Sequence, residues 1–438
     1  MSGKPAFRDQ GGAASSDPSW LRRQLTSLMM RRLADPERRD RARQAAERLR
    51  IRRGEAHRID FFHDAADPYS HLAAQVLVPF CARYGIALQP RLFADAAGPE
   101  TPEPALLAAW SRHDAAAVAP HYGLGFPAAA RAPDPALLSL ARGILAAQSP
   151  EAFLQLAPRV GQALWSGDEG TLAALAREHG RLDDARVAER LGEDGALRSR
   201  LGHYAGAMFH YAGEWYWGVD RLYHLEERLR ALGASHAPDA PLIVPRPAMA
   251  PPAALGAAGM TLEFFASLRS PYTSIVYERT VAFARASGLQ LRLRPVLPMV
   301  MRGVPVTFRK GRYIFFDTAR EAEAAGFRWG HARDPIGEPV RRVYSLLPWA
   351  RRRGREVELL GEALKGAFLE ALDLCSERGL ATVVERAGLL WTEARDVLGA
   401  RDWEEDVELN RLTLYAAGLW GVPAFRLLDA EGNPLLET

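Results

Sequence analysis

The feature that most constrains the fold is a pattern that occurs twice. The first half contains "HRIDFFHDAADPYSHLAAQVLVPFCARYGIALQPRLF" and the second "MTLEFFASLRSPYTSIVYERTVAFARASGLQLRLRPVL". Each reads as a strand, a short loop with Pro-Tyr, an amphipathic helix, a glycine and an alternating strand. The pairs Pro68-Tyr69 and Pro271-Tyr272 lie 203 residues apart. A period this long indicates duplicated domains rather than a solenoid, and each strand–helix–strand run predicts two parallel strands.

Both copies continue in the same way, with amphipathic helical segments followed by a β-hairpin that has glycine at its turn. Between them lies "HAPDAPLIVPRPAMAPPAALGAAG", which holds six prolines without a regular period. This composition predicts an extended, semi-rigid linker. The predicted organisation is a basic, helical and partly disordered region 1–57, a first domain 58–235, a linker 236–259 and a second domain 260–438.

Composition narrows the class of protein. A chain of 438 residues with 48% apolar and 25% charged residues fits a multidomain globular protein. Its net charge of +3 gives no global reason to bind nucleic acid or membrane, and no apolar run is long enough for a membrane span. The only cysteines, Cys81 and Cys375, form no C-x-x-C motif, which fits a reducing compartment. We expect a cytoplasmic protein with no membrane partner and no metal.

The N-terminal region is strongly basic, with twelve arginines against four acidic residues between Arg22 and Arg53. Leu21, Leu25, Leu28 and Met29 follow helical spacing within it. The charge is compatible with binding to nucleic acid or to an anionic surface. We favour a solvated, partly disordered helical region and expect no nucleic-acid partner.

The second half offers a candidate site at the start of a predicted helix. Ser270 suits the N-cap position, and Pro271 suits the first helical position. Exposed backbone N–H groups and the helix dipole favour an anion there. A thiolate beside Ser270 would be stabilised, and the pKa of its thiol lowered. Plain helix capping is the alternative interpretation.

Two further features of the second half favour a ligand site. Pro423 opens a strand after a glycine turn, where a cis bond and an ordinary trans bond are both plausible. A cis bond would turn the backbone of Val422 outward, towards a peptide-like ligand. Lys310 can meet a ligand carboxylate, whereas Asp317 and Arg320, three residues apart on a helix, predict a solvated ion pair.

The second half, residues 260–438, resembles the DsbA-like branch of the thioredoxin superfamily through its strand, S-P-Y-T, helix, strand, helical insertion, "GVPAF" and hairpin. A weaker copy covers residues 58–232. More narrowly, the second half resembles 2-hydroxychromene-2-carboxylate isomerases and kappa-class glutathione transferases. The shared positions are Lys310, Tyr313, Asp317, Arg320 and Asn410. The resemblance implies an α/β fold of two tandem thioredoxin-like (DsbA-like) domains, each with a helical insertion. It also implies that they pack as an internal pseudo-dimer, and a homodimer stays open.

The resemblance also implies a function. The protein would be a glutathione-dependent isomerase or glutathione S-transferase acting on a small aromatic or electrophilic substrate. Ser270 would activate the sulfur of glutathione, and Val422 before a cis Pro423 would bind its cysteinyl backbone. Lys310 would reach a carboxylate of glutathione or substrate. Tyr272 and Asn410 complete the expected glutathione-binding residues.

Two alternatives remain open. The first half has Asp67 where the serine is expected and Met208 where the proline is expected, and it alone keeps the family's closing segment, as "WYWGVDRL". These departures favour a non-catalytic binding or scaffold protein of two decayed domains. A DsbA-like thiol oxidoreductase would need a cysteine pair at the helix start, where the sequence has Ser270 and Thr273.

Overall fold

The chain folds into two compact units, each with its own four-stranded sheet and its own hydrophobic core. The N-terminal unit is Glu37–Met249, and the C-terminal unit combines Met1–Pro36 with Ala250–Thr438. The architecture is therefore mixed α/β. The computed structural model describes residues 18–94, 98, 100–248, 259–304 and 306–438.

The basic N-terminal region forms two helices, α1 (Trp20–Ala34) and α2 (Pro36–Arg53). They are separate because proline suits the first position of a helix and disfavours helical backbone in the residue before it. α1 belongs to the C-terminal unit and most of α2 to the N-terminal unit. Partial disorder was predicted for the whole region 1–57, of which residues 1–17 lie outside the described residues.

The remaining elements of the N-terminal unit place a mostly helical segment between two pairs of strands. The sheet order is β2-β1-β3-β4, with β1 parallel to β2 and antiparallel to β3. Short 3₁₀ turns cover Ala119–Tyr122 and Val219–Arg221. The elements are β1 (His57–His63), α3 (Pro68–Ala74), α4 (Leu77–Arg83), β2 (Ile86–Leu92), α5 (Pro104–Val118), α6 (Pro135–Ala146), α7 (Pro150–Ser166), α8 (Glu169–His179), α9 (Asp184–Leu201), β3 (Met208–Tyr211), β4 (Glu214–Trp217) and α10 (Leu222–Ala231).

The C-terminal unit follows the same plan. Its sheet order is β6-β5-β7-β8, again with a parallel pair joined through a helix and an antiparallel hairpin. A 3₁₀ turn covers Met299–Arg302. The elements are β5 (Thr261–Ala266), α11 (Pro271–Ala286), β6 (Gln290–Pro295), α12 (Phe308–Ala324), α13 (Glu338–Arg352), α14 (Glu356–Phe368), α15 (Glu377–Arg386), α16 (Trp391–Val397), α17 (Trp403–Ala416), β7 (Ala424–Leu428) and β8 (Pro434–Glu437).

The central strands carry equivalent aromatic pairs. Phe61 on β1 stacks on Phe209 on β3, with ring centroids 4.5 Å apart. Phe264 on β5 stacks in the same way on Phe425 on β7, at 4.9 Å. Directly opposed aromatic residues stabilise an antiparallel pair beyond their buried area. The same contact therefore sets the register of the third strand in both units.

Equivalent ion pairs join the parallel strands. Asp60 on β1 pairs with Arg91 on β2 at 2.8 Å. Glu263 on β5, only 1% exposed, accepts from Nε of Arg294 on β6 at 3.0 Å and from Arg426 on β7 at 3.0 Å. A buried carboxylate is costly unless it is paired. These arginines therefore make the strand register specific.

The first part of the predicted linker packs on the N-terminal unit. The carboxylate of buried Glu226 accepts from the backbone N–H groups of Ile243 and Val244, at 2.7 and 2.8 Å. It also accepts from the hydroxyl of Tyr84, at 2.8 Å. Val244 is 2% exposed and belongs to the core of this unit. Residues 249–258 of the predicted linker lie outside the described residues.

We expect Glu226→Ala to destabilise the N-terminal unit by about 3 kcal/mol, since it leaves buried donors without an acceptor. The exposed neighbour provides the control, and Glu227→Ala is expected to change stability by no more than about 0.5 kcal/mol. Urea unfolding of both variants checks this. Equal stabilities for the two variants would contradict the role given to Glu226.

Candidate functional site

The candidate site of the C-terminal unit lies where α11 begins beside the entry to β7. Ser270 is the N-cap residue, as predicted, and its Oγ accepts from the backbone N–H of Thr273 at 3.2 Å. The same hydroxyl donates to the carbonyl oxygen of Val422 at 3.3 Å. The Val422–Pro423 peptide bond is cis, the first of the two geometries that the sequence left open. We call this meeting of the helix start with the residues that enter β7 the junction. Ser270, Val422 and Pro423 are all half-buried, so solvent reaches it.

One hydroxyl next to this junction lacks a partner. Thr273 is fully buried, and its Oγ1 has no hydrogen-bond partner among the described residues. The equivalent Ser70 in the N-terminal unit accepts from the backbone N–H of Ala207 at 2.9 Å. Proline has no N–H, so Pro423 cannot make that bond to Thr273.

A buried hydrogen-bond cluster holds the first turn of α11 against α12. The Asp317 side chain is 1% exposed and accepts from the hydroxyl of Tyr272 at 2.8 Å and from Arg320 at 3.1 Å. The hydroxyl of Tyr313 donates to the same carboxylate at 3.4 Å. The predicted pair between Asp317 and Arg320 is confirmed, but it is buried rather than solvated. The hydroxyl of Tyr272 is engaged inside the protein, which leaves its half-exposed ring as the part available to a ligand.

Lys310 lies at the same junction. Its Nζ sits 5.3 Å from the ring centroid of Trp420, two residues before Val422. A cation over the face of an indole is attracted by the ring quadrupole. The structure therefore brings a positive charge to the loop that carries Val422. The sequence analysis missed Trp420, although the "GLWGVPAF" motif contains it.

Arg269, directly before Ser270, is a second residue that the sequence analysis missed. Its guanidinium forms two hydrogen bonds with Asp334, at 2.7 and 3.0 Å. Burial opposes the charge of Arg269, but the carboxylate of Asp334 outweighs burial and raises its pKa. The pair braces the start of α11. No pattern in the sequence links an arginine to an aspartate 65 residues away in a loop.

Asn410 is not brought into this cluster by the contacts it makes. It is 4% exposed, and its Nδ2 donates to the carbonyl oxygen of Pro295 at 2.9 Å. Its Oδ1 accepts from Arg294 at 3.2 Å. Both ends of the amide are thus engaged at the end of β6. The part of Asn410 in glutathione binding stays a prediction.

The equivalent junction in the N-terminal unit is closed. The carboxylate of Asp67 caps α3, accepting from the backbone N–H groups of Tyr69 and Ser70, each at 3.2 Å, and from the hydroxyl of Ser70 at 2.8 Å. A Cβ at Gly206 would lie 2.6 Å from Oδ2 of Asp67. This close approach therefore depends on glycine. Ala207, which follows it, is fully buried.

The sheet register corrects one predicted equivalence. Phe62 on β1 faces Met208, and the equivalent Phe265 on β5 faces Ala424. Met208 therefore corresponds to Ala424, and Ala207 takes the place of Pro423. The prediction that Met208 replaces the proline is wrong by one residue, because short strands give no sequence signal of where pairing begins.

The tyrosine contact is the same in both units. The hydroxyl of Tyr69 donates to Asp114 at 2.7 Å, as that of Tyr272 donates to Asp317 at 2.8 Å. Both tyrosines and both aspartates are separated by the 203-residue offset. The tyrosine–aspartate hydrogen bond that holds the helix start is thus present in both units, although Asp67 occupies the junction of the N-terminal unit.

The cysteines are not placed for redox chemistry. Burial raises the pKa of Cys81 to about 11. Burial is also the main cause that raises the pKa of Cys375. A high thiol pKa disfavours the reactive thiolate. Neither cysteine stands at the start of α3 or α11.

Neither a metal-ligand cluster nor a membrane-spanning helix occurs among the described residues. No group of three or more His, Cys, Asp or Glu side chains there is arranged to hold a metal ion. No helix in the described ranges combines the length and the apolar character needed to cross a membrane.

Comparisons with known proteins give only distant structural similarity. No family model and no curated protein sequence matches the chain. A probable DsbA oxidoreductase of Streptomyces coelicolor is similar at 20% identity, over 41% of this chain and 83% of that one, with a TM-score of 0.32. A 2-hydroxychromene-2-carboxylate isomerase is similar at 22% identity, over 40% of this chain and 96% of that one, with a TM-score of 0.31. These are thioredoxin-superfamily proteins, and similarity at this level assigns no activity.

The N-terminal unit also buries His63 and His71 near its closed junction. Burial lowers the pKa of His63 to about 3 and that of His71 to about 4. Each is 2% exposed. Both are therefore neutral in the folded state at pH values where an unfolded histidine, with a pKa of about 6.5, takes up a proton.

We expect the N-terminal unit to lose stability as the pH falls from about 6.5 towards 4, because only the unfolded state binds these protons. The loss at pH 5 is about 2 kcal/mol for each histidine. His63 lies against the ring of Phe153, so His63→Phe should reduce the difference between pH 7 and pH 5 by that amount. Urea unfolding at the two pH values measures it. His121→Phe, at an exposed position, is the control, and an equal effect of both variants would refute the assignment.

Proposed function

We propose that the C-terminal unit is a glutathione-dependent isomerase or transferase acting on a small aromatic or electrophilic substrate. The observation that carries this proposal is the half-buried hydroxyl of Ser270, which starts a 16-residue helix beside the Val422 carbonyl. Its surroundings suit a sulfur anion, because backbone N–H groups and the helix dipole converge on that position. The resemblance of S-P-Y-T and "GVPAF" to the isomerase and kappa-class group points the same way.

Three groups at the junction would each take one part of the tripeptide. The Ser270 hydroxyl now donates to Val422, and it is able to donate to a sulfur held at the start of α11 instead. That exchange would release the Val422 carbonyl for a ligand N–H group. Lys310, beside Trp420, would hold a carboxylate by charge. Glutathione would supply the nucleophilic thiol, while the chain's own groups bind it, orient it and lower its pKa.

We infer further that the two units are tandem thioredoxin-like domains that arose by duplication. The stacked phenylalanines, the carboxylate–arginine pairs between parallel strands and the Tyr–Asp hydrogen bonds all support this, because each occurs in both units.

A non-catalytic role for the N-terminal unit has its own support. Asp67 places a carboxylate where Ser270 places a hydroxyl, and a carboxylate repels a thiolate. Ala207 and Met208 are fully buried, so the strand entry offers no backbone to a ligand. We propose that this unit is a binding or scaffold domain that has lost the chemistry of its copy.

We expect calorimetric titration with glutathione to detect binding that Ser270→Ala weakens about tenfold or more, the usual effect of losing a hydrogen bond to a charged group. The pKa of the bound thiol, followed by thiolate absorbance, should rise in the variant. S-methylglutathione forms no thiolate, so its affinity should depend much less on Ser270.

Thr273→Val is the matched control, because its buried hydroxyl makes no hydrogen bond that the variant would lose. It should leave glutathione affinity unchanged. If neither glutathione nor its S-methyl derivative binds the unmodified chain, the enzymatic proposal fails and the scaffold role extends to both units.

We expect Lys310→Met to weaken glutathione binding about fivefold, as for the loss of a partly exposed ion pair. The effect should shrink at high salt, because salt screens that pair. Arg312→Met on the same helix is the control, since Arg312 is exposed and lies over Phe316 instead of Trp420. Equal losses in both variants would indicate a general charge effect rather than a binding contact.

A further inference from the structure

Helix α1 exposes the apolar residues that follow helical spacing in its sequence. Leu21 is 60% exposed, Leu25 58%, Leu28 41% and Met29 38%, and Trp20 at the start of the helix is 69% exposed. Single exposed apolar residues are ordinary, but a contiguous group of them indicates a binding surface. Trp20 lies seven residues before Ser27 and therefore on the other side of the helix, so we call Leu21, Leu25, Leu28 and Met29 the outer stripe.

The opposite face of α1 is the one that packs. Arg23, Ser27, Met30 and Ala34 are buried against the C-terminal unit. With 3.6 residues per turn, these positions lie across the helix from the outer stripe. A side chain at Gly330 would overlap Ala34, so the approach is close. Packing therefore fixes the outer stripe in its outward orientation.

Hydrogen bonds strengthen that attachment. Ser27 Oγ accepts from the backbone N–H of Asp334 at 3.3 Å and donates to the carbonyl of Arg23 at 2.7 Å. The guanidinium of Arg23 in turn donates to the carbonyl of Ile336. α1 is thus held to the 334–336 loop from its own inner face, and the outer stripe takes no part.

Charge limits which partner fits the stripe. α1 contains four arginines and no acidic residue, and Arg22 and Arg32 are exposed. α1 alone therefore carries a net charge of +4, in a chain whose net charge is only +3. If the stripes of two copies of the chain packed together, the arginines of both helices would approach each other, and neither helix has an acidic residue to pair with them. Nucleic acid would satisfy the arginines but leave the leucines and methionine in water.

We propose that α1 docks on the surface of a membrane rich in anionic phospholipid. The outer stripe would enter the boundary between headgroups and acyl chains, with Arg22 and Arg32 meeting lipid phosphates. The expectation of no membrane partner rested on the small net charge of the whole chain and on the absence of a spanning run. Peripheral docking by one basic, amphipathic helix depends on neither.

The test is co-sedimentation of the full chain with phosphatidylcholine vesicles, with and without about one-third phosphatidylserine. We expect at least about tenfold stronger binding to the anionic vesicles, and loss of that gain in high salt. Leu25→Glu and Leu28→Glu should each reduce binding about tenfold, because each puts a carboxylate into the apolar face. Circular dichroism melting should be unchanged, since both positions are exposed.

Leu409→Glu is the matched control, an exposed leucine on α17 of the same unit, 53% exposed. It should bind vesicles like the unmodified chain. Equal binding to both lipids, no binding to either, or a loss as large in Leu409→Glu would overturn the proposal. Ultracentrifugation showing a dimer that Leu25→Glu dissociates, without vesicle binding, would assign the stripe to self-association instead.

Discussion

The candidate site depends on how closely the first turn of one helix approaches the backbone that enters the third strand. In the C-terminal unit this contact joins Ser270 to Val422, and in the N-terminal unit it joins Asp67 to Gly206. The central strand of each unit leads into the start of the helix, and the stacked phenylalanines set the register of the third strand. Both units therefore build the same junction, and the side chains placed there determine what it can bind.

Small differences at the junction have large chemical consequences. Asp67 satisfies the amides of Tyr69 and Ser70 with its own carboxylate, so the helix start of the N-terminal unit already holds an anion. Ser270 is neutral and leaves the favourable potential of its helix for a ligand. Ala207 gives its N–H to Ser70, whereas Pro423 has none to give to Thr273. The junction of the N-terminal unit therefore makes this hydrogen bond within the protein, whereas that of the C-terminal unit leaves the hydroxyl of Thr273 without a partner in the described part of the chain.

The sequence predicted the first part of each unit better than the second. Strands, crossover helix and Pro-Tyr turn keep a constant offset of 203 residues, from β1 to the aspartates of α5 and α12. Met208 and Ala424, which occupy equivalent register positions, are instead 216 residues apart. The offset changes because the helical insertions of the two units differ in length. The constant spacing before the insertions located the start of each helix, but the residue that enters the third strand was placed one position too late in the N-terminal unit.

Other differences arise because periodicity shows that a helix has a face but not which face is covered. The spacing of Leu21, Leu25, Leu28 and Met29 predicted a helix correctly, yet the buried face is the one with Arg23 and Ser27. The contacts of Asn410 were equally hidden, since its partners Pro295 and Arg294 lie more than 100 residues away. Partners at such separation follow from the fold and not from local pattern.

The N-terminal helix and the candidate site are also joined through direct contacts. Ser27 on α1 holds the backbone of Asp334, whose carboxylate pairs with Arg269 directly before Ser270. Each of these contacts is a hydrogen bond or an ion pair. Asp334, which takes part in all of them, is 4% exposed, so water competes little for its hydrogen bonds. A helix that is remote in sequence thus supports the residue on which the proposed chemistry depends. The inner face of α1 therefore combines apolar packing, from Met30 and Ala34, with the hydrogen bonds of Arg23 and Ser27.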